Sequence, residues 1–411
     1  DCKGVSSMQG KSGRLVVVLA VVTLVQALLS MAVLSAPSIA PVITSAYEIG
    51  VETVGYQISL IYLAASVGSF GSGVVVRRYG PARTSMVSLV MAAVGLALMA
   101  TGVVGIAVVA SVLIGLGYAL TNPSAGQILD RHCGPEHRNF VFSLKQTAVP
   151  IGGIAAGLIL PALAEGVDWR MALAVPVCLC LLACLVVAPF RESWDVGREP
   201  NARFRGSVMA GIREVRQNPG LRSLAIVAFC FAAMQLSLMS YIVSTLVVDL
   251  GWTRVAAGGM TAAVQVCGAV GRLTWGGLAD WWGRPMRVLL VIGLITTVAA
   301  GLMPLLKPDT PLVLVALLLA AFGFASIGWN GILLADIARH VPQAQVGSAS
   351  GGVMATTFAG VVVGPAIFAV VHMVTRDFAL SFLWLAIFPL LGAIVALRAP
   401  DPGPVQRKID N

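Results

Sequence analysis

The feature that most constrains this chain is a succession of long apolar runs, each about twenty residues, separated by short polar breaks. About twenty apolar residues in a helix cross the roughly 30 Å of bilayer hydrocarbon. A helix also satisfies its own backbone polar groups, which lipid will not do. Twelve runs are read, at 14–37, 54–76, 84–104, 106–128, 140–163, 170–190, 222–247, 255–279, 288–306, 312–335, 348–373 and 379–398. Only 11% of residues are charged against 58% hydrophobic, whereas soluble domains carry roughly 25% charged residues. There are too few charges to cover a water-facing surface. The expected fold class is an all-α membrane protein, with twelve transmembrane helices in two pseudo-symmetric six-helix bundles.

The net charge of +9 would suit a nucleic-acid partner, but its placement argues for a membrane one. Of the 27 Lys and Arg, 21 fall in one set of connections and the termini, 4 in the other set, and two within spans. The basic side is read as cytoplasmic, so both termini are expected there, in a bacterial inner membrane. The longest connection, 191–221, is basic and contains an amphipathic stretch from Val208 to Arg216. It divides the chain into a tail (1–13), a first bundle (14–190), the linker itself, a second bundle (222–398) and a tail (399–411). Met8 is read as the natural start, with no removable signal peptide. Five of the seven cysteines lie in apolar runs without Cys-x-x-Cys spacing, so they read as buried apolar residues rather than metal or disulfide partners. No cofactor, metal or nucleic acid is expected, and the expected state is a monomer.

The halves repeat one another. Gly73, Arg77, Arg78, Gly80 and Arg83 at the exit of span 2 match the stretch from Gly276 through Asp280 and Gly283 to Arg287, displaced by 203. Asp130 and Asp336 end spans 4 and 10 at a displacement of 206. Ser143, Gly153 and Gly157 recur as Ser350, Gly360 and Gly364 at 207. Such a repeat places a transport site between the halves near mid-membrane.

With these features the chain resembles the major facilitator superfamily over residues 12–400. The turn Gly276-x-x-x-Asp280-x-x-Gly283-Arg284 is similar to that family's signature loop, G-x-x-x-D-R-x-G-R-R. The resemblance implies a secondary transporter that rocks its halves in alternating access. Glycines permit a tight turn and close helix approach. Asp280 is expected to face the positive N-terminus of span 5, latching the cytoplasmic side shut. In the first-half copy Arg77 stands where the family has Asp, and Pro81-Ala82 replaces an Arg pair. A matching latch on span 11 is therefore in doubt and the halves are expected to gate unequally. Span 5 carries Pro150-x-Gly152-Gly153, similar to the antiporter motif of drug exporters but lacking the preceding glycine, so packing and a kink are the favoured role for Pro150.

Charge inside hydrocarbon is costly and usually functional. Away from span ends only Lys145 on span 5 and Arg272 on span 8 are charged, each roughly 10–12 Å deep at 1.5 Å per residue. No acid of matching depth neutralises them, which points to an anionic substrate. The competing reading is that each side chain reaches the interface or bonds backbone carbonyls. The Gly-Arg context of span 8 resembles organic-anion members such as the oxalate–formate exchanger and the monocarboxylate carriers. The exchanger's second cation, on span 11, is missing, and cyanate-type and nitroimidazole-type carriers are loosely similar in span 5. Gln265 and Thr261 share a face with Arg272, and Tyr62 matches Gln265 in span 2. Gln26, Gln146, Gln235, Asn122, Trp329 and Asn330 complete the polar set, with interhelical hydrogen bonding as the plain alternative. Spans 1 and 4 lack a deep acid, which disfavours proton-coupled sugar transport and leaves exchange or uniport slightly preferred. Glu48 and Glu52 read as solvated, and His372 near the outer end of span 11 as a minor candidate pH sensor.

Three functions remain open: a transporter of a small, carboxylate-like anion; a drug or metabolite efflux antiporter; and a non-transporting receptor with a transporter fold. An enzyme is disfavoured, because no nucleophile–base pair, metal cluster or phosphate loop lies at plausible depth.

Overall fold

The computed structural model describes residues 2–49, 53–201 and 208–400. Glu52 and the tail beyond 400 lie outside these. In the first half the long helices are α1 (Cys2–Ser38), α2 (Thr53–Tyr79), α3 (Pro81–Met99) and α4 (Val104–His132). They are followed by α5 in two pieces, α5a (Arg138–Gln146) and α5b (Ala148–Gly166), and by α6 (Trp169–Val187). A linker helix, Val208–Gln217, precedes the second half. There α7 (Pro219–Ser244), α8 (Arg254–Trp282) and α9 (Pro285–Leu302) are followed by α10, broken into α10a (Leu312–Ser326) and α10b (Asn330–His340). The last two are α11 (Val346–Thr375) and α12, in pieces Phe378–Leu385 and Ile387–Arg398.

Eleven of these, among the described residues, are long and apolar enough to cross a bilayer. The twelfth expected span is the 29-residue α8, long enough but less apolar, because it carries Thr261, Gln265 and Arg272. Several run ends shift by four or five residues, and the end of α3 has a clear cause. The run 84–104 does not continue as helix to its end, since α3 stops at Met99. Gly102 takes a left-handed backbone (φ +81°) that turns the chain into α4, a conformation that glycine adopts at little cost.

Packing repeats with a shift of six helices. In the first half α1 packs on α5b, α2 on α4 and α3 on α6; in the second α7 packs on α11, α8 on α10a and α9 on α12. The halves meet through α2 with α11, α5a with α8, and α5a with α10b. All three contacts draw on the face that carries the linker, referred to below as the linker face. The interior is built from small and aliphatic side chains (Ala92, Leu96, Ile114, Ala228, Ile292 and Leu319 are fully or almost fully buried). With lipid outside as apolar as the core, close packing and interhelical hydrogen bonds hold such helices together.

Asp195, just beyond α6, braces the start of α3. Its Oδ1 accepts the Ala82 N–H at 2.7 Å, and Oδ2 lies 3.7 Å from Arg83. Burial pushes the Asp195 carboxyl above the usual carboxylate range, and the Ala82 hydrogen bond and nearby Arg83 pull it partly back. Arg131 Nη1 donates to the Trp194 and Val196 carbonyls, both at 3.0 Å, fixing this brace to the end of α4.

Candidate functional site

A cavity of about 80 Å³ lies between the halves. Its wall draws on both: Tyr62, Tyr118, Asn122, Gln146 and Val149 from the first, and Ala232, Gln235, Leu236, Arg272, Trp329, Asn330, Met354, Thr357, Phe358 and Val361 from the second. Among the described residues no carboxylate lines it.

Lys145 sits behind the first-half wall, against the lining residue Asn122, and does not itself line the cavity. It is 1% exposed, and its Nζ donates to Gln26 Oε1 and Asn122 Oδ1, both at 2.7 Å. An ammonium has three donors, so one remains beyond these two neutral acceptors. Arg272, 2% exposed, faces it from α8. Its Nε donates to the Ile327 carbonyl at 3.1 Å and its Nη1 to the Gln146 carbonyl. Among the described residues neither cation makes an ion pair, yet they lie close enough to repel each other.

Both carbonyls held by Arg272 come from helix breaks. A helical carbonyl accepts from the residue four positions on, and four positions after Gln146 stands Pro150, which has no N–H. Helix α5 breaks at Thr147, where the N–H turns back to Leu144. In α10 the chain unwinds over Ile327–Trp329, and the Gly328 N–H goes to Ala325. The two freed acceptors belong to different halves, so one guanidinium spans the interface.

On the opposite wall Gln235 Oε1 accepts from Trp329 Nε1 (3.0 Å) and Asn330 Nδ2 (3.2 Å). Tyr62, Tyr118 and Phe358 form an aromatic cluster with ring centroids 5.7–6.1 Å apart. Tyr118, Thr357 and Phe358 were not singled out in the sequence. Tyr118 lies one turn before Asn122 on the same helix face, a signal that was there to be read. Gln265 does not join the site: it sits seven residues from Arg272, about 10 Å along α8, and does not line the cavity. The Thr261 hydroxyl bonds its own helix, at the Ala257 carbonyl. His372 is remote, stacked on Phe378 with centroids 3.8 Å apart, and Glu48 is exposed.

The linker face is joined by close backbone approach and by a carboxylate. A Cβ on Gly276 or on Gly331 would overlap Ser143, and one on Gly73 would overlap Ser348. Asp280 Oδ1 accepts from the Asn139 N–H (3.0 Å) and Nδ2 (2.7 Å), and Oδ2 accepts from the Phe140 N–H (2.8 Å). The carboxylate thus caps the N-terminus of α5a, where free N–H groups and the helix dipole favour an anion. Gly283 ends α8 in the left-handed region (φ +66°), and exposed Arg284 starts the turn into α9. In the first-half copy Gly80 (φ +89°) receives Asp195, Arg78 lies against the Tyr79 ring, and the Arg77 carbonyl accepts from the Glu199 N–H at 2.8 Å.

Two repeated helical halves around a buried cavity are the architecture of a membrane transporter. The sequence profile of the Major Facilitator Superfamily matches residues 19–365, and the chain belongs to that family. It is a transporter and not an enzyme. An uncharacterised MFS-type transporter of Mycobacterium tuberculosis is 25% identical over 366 residues, covering 85% of this chain and 79% of the relative. Among solved structures, the transporter FucP in its outward conformation aligns with a TM-score of 0.74 at 18% identity, covering 93% of this chain and 98% of FucP. The human organic anion transporter MFSD10 aligns with a TM-score of 0.72 at 17% identity, covering 93% and 99%.

The glycine contacts carry a test. Gly331→Val forces a branched side chain against Ser143, and such overpacking costs about 1–3 kcal/mol. Transport by reconstituted protein is expected to fall about tenfold. Gly134→Ala, with nothing within 4 Å of the added carbon, leaves it unchanged.

Proposed function

We propose that this protein carries a small anionic, carboxylate-like solute between two access states, by exchange or uniport. The observation that carries the reading is Lys145 with Arg272: two buried cations whose hydrogen-bond partners, among the described residues, are neutral oxygens. Desolvated charges without a counter-ion are costly, and an anion in the cavity offsets that cost. Gln235, Asn330 and Thr357 offer the neutral polar contacts that would orient it, and the Asp280 cap would hold the linker face shut. In this reading the linker face is cytoplasmic, the membrane is a bacterial inner membrane, and the protein acts as a monomer. Bundles 14–190 and 222–398 rock about the cavity. The human organic anion transporter shares the fold, but so does the proton:xylose symporter XylE (TM-score 0.68), so the argument rests on the two cations.

The test is uptake of labelled carboxylates and inorganic anions into proteoliposomes. Wild type is expected to accumulate at least one anion, and Lys145→Gln to lower that uptake about tenfold or more, one charge-assisted hydrogen bond being worth about 1.5–3 kcal/mol. Failure to accumulate any anion, or undiminished uptake by the variant, refutes the reading. A second reading, efflux of amphipathic compounds, is favoured by the Tyr62–Tyr118–Phe358 cluster. Including aromatic drugs in the panel separates the two.

A further inference from the structure

The first-half turn lacks the acid that its second-half copy uses, yet the start of α11 does receive a carboxylate. Ser348, in the first turn of α11, places its Oγ 2.9 and 2.7 Å from the two carboxylate oxygens of Glu214. Glu214 belongs to the linker helix, outside both bundles. Arg77, at the position where Asp280 stands in the other half, lies near enough to attract Glu214 electrostatically, as does Arg213.

The backbone supports the same seat. A Cβ on Gly211 would come 2.8 Å from the Ser348 carbonyl oxygen and 3.1 Å from the Gly352 nitrogen, so the linker helix lies directly on the first turns of α11. It also packs on α2, and at its far end Asn218 Nδ2 donates to the His340 carbonyl of α10b at 2.9 Å. The helix itself therefore touches α2 of the first half and α11 of the second, and Asn218 at the start of α7 adds the contact to α10b. These contacts bridge the seam that must part when the linker face opens.

We propose that the linker helix is a gating strap, with Glu214 supplying to α11 the carboxylate that Arg77 cannot. The two seams are then closed by different means. Asp280 is built into a transmembrane turn and moves with its bundle, whereas Glu214 rides on the connection between bundles and holds Ser348 of α11 beside Arg77 of α2 across the seam. The strap makes the length and register of the linker part of the gate. This proposal does not depend on the identity of the solute.

Hydrogen–deuterium exchange of the full-length protein in nanodiscs tests it without a substrate. In Glu214→Ala, amides of the linker helix and of 349–354 are expected to exchange at least about tenfold faster. The deciding segment is 141–146 on α5a, which lies across the other seam: its exchange is expected to rise too, because the whole face opens more often. Ser348→Ala, which leaves the linker sequence intact, is expected to act in the same direction. Unchanged exchange at 141–146 in both variants, with or without fraying of the linker helix, overturns the proposal.

Discussion

Arg272→Gln is expected to slow uptake of the transported anion by about a hundredfold or more in proteoliposomes. The change removes one of two buried cations and also the group that joins the Gln146 and Ile327 carbonyls across the interface. Each buried acceptor left without a partner costs about 1–3 kcal/mol, and a lost charge-assisted bond to the anion about 1.5–3 kcal/mol. With tenfold per 1.4 kcal/mol, two such losses give the stated factor. Arg272→Lys is expected to fall between wild type and the glutamine variant. A lysine keeps the charge as a point but lacks the planar fork that reaches two acceptors. Normal transport by Arg272→Gln would leave the arginine as a structural clamp and sink the anion reading.

Asp280→Ala is expected to destabilise the closed linker face. Three hydrogen bonds from the start of α5a end on this carboxylate, and removing an N-terminal cap costs about 0.5–2 kcal/mol even for a simple helix. The cap here also joins the two halves, so a loss near 2 kcal/mol shifts the closed-to-open ratio by about thirtyfold. Exchange of amides 141–146 is expected to accelerate by that order, with Asp280→Asn in between. The same amides exchanging at the wild-type rate would reduce Asp280 to a local cap without a part in gating.

Arg272 shows why part of the site was legible and part was not. Its presence deep in an apolar run is visible in one dimension, because the bilayer makes every interior charge conspicuous. Its partners are not, since both are backbone carbonyls and any residue has one. Pro150 explains one of them: its missing N–H frees Gln146, a link that needs only the four-residue helical period. That link could have been read from the chain. The break at Ile327 has no such marker within helical reach. Gln265 shares a helix face with Arg272, yet height along α8 keeps it off the cavity wall.

The linker shows the other kind of gap. From Arg77 alone, α11 stood without a dependable anionic cap. The carboxylate that reaches its first turn, that of Glu214 on the Ser348 hydroxyl, lies 134 positions away in a segment legible only as amphipathic. Whatever rule assigns spans to a sequence cannot state which side chain a loop delivers to a distant helix end.

Apolar run length and the near-constant displacement between copies determined the spans, the two-fold repeat and the two interior cations, since these follow from the bilayer's thickness and its cost for charge. Tertiary structure alone decided that Lys145 rests on Gln26 and Asn122, that Arg272 holds both halves, and that Glu214 reaches Ser348 on α11. Those pairings depend on how helices approach in three dimensions, and small residues such as Gly276 and Gly331 set that approach through the atoms they lack.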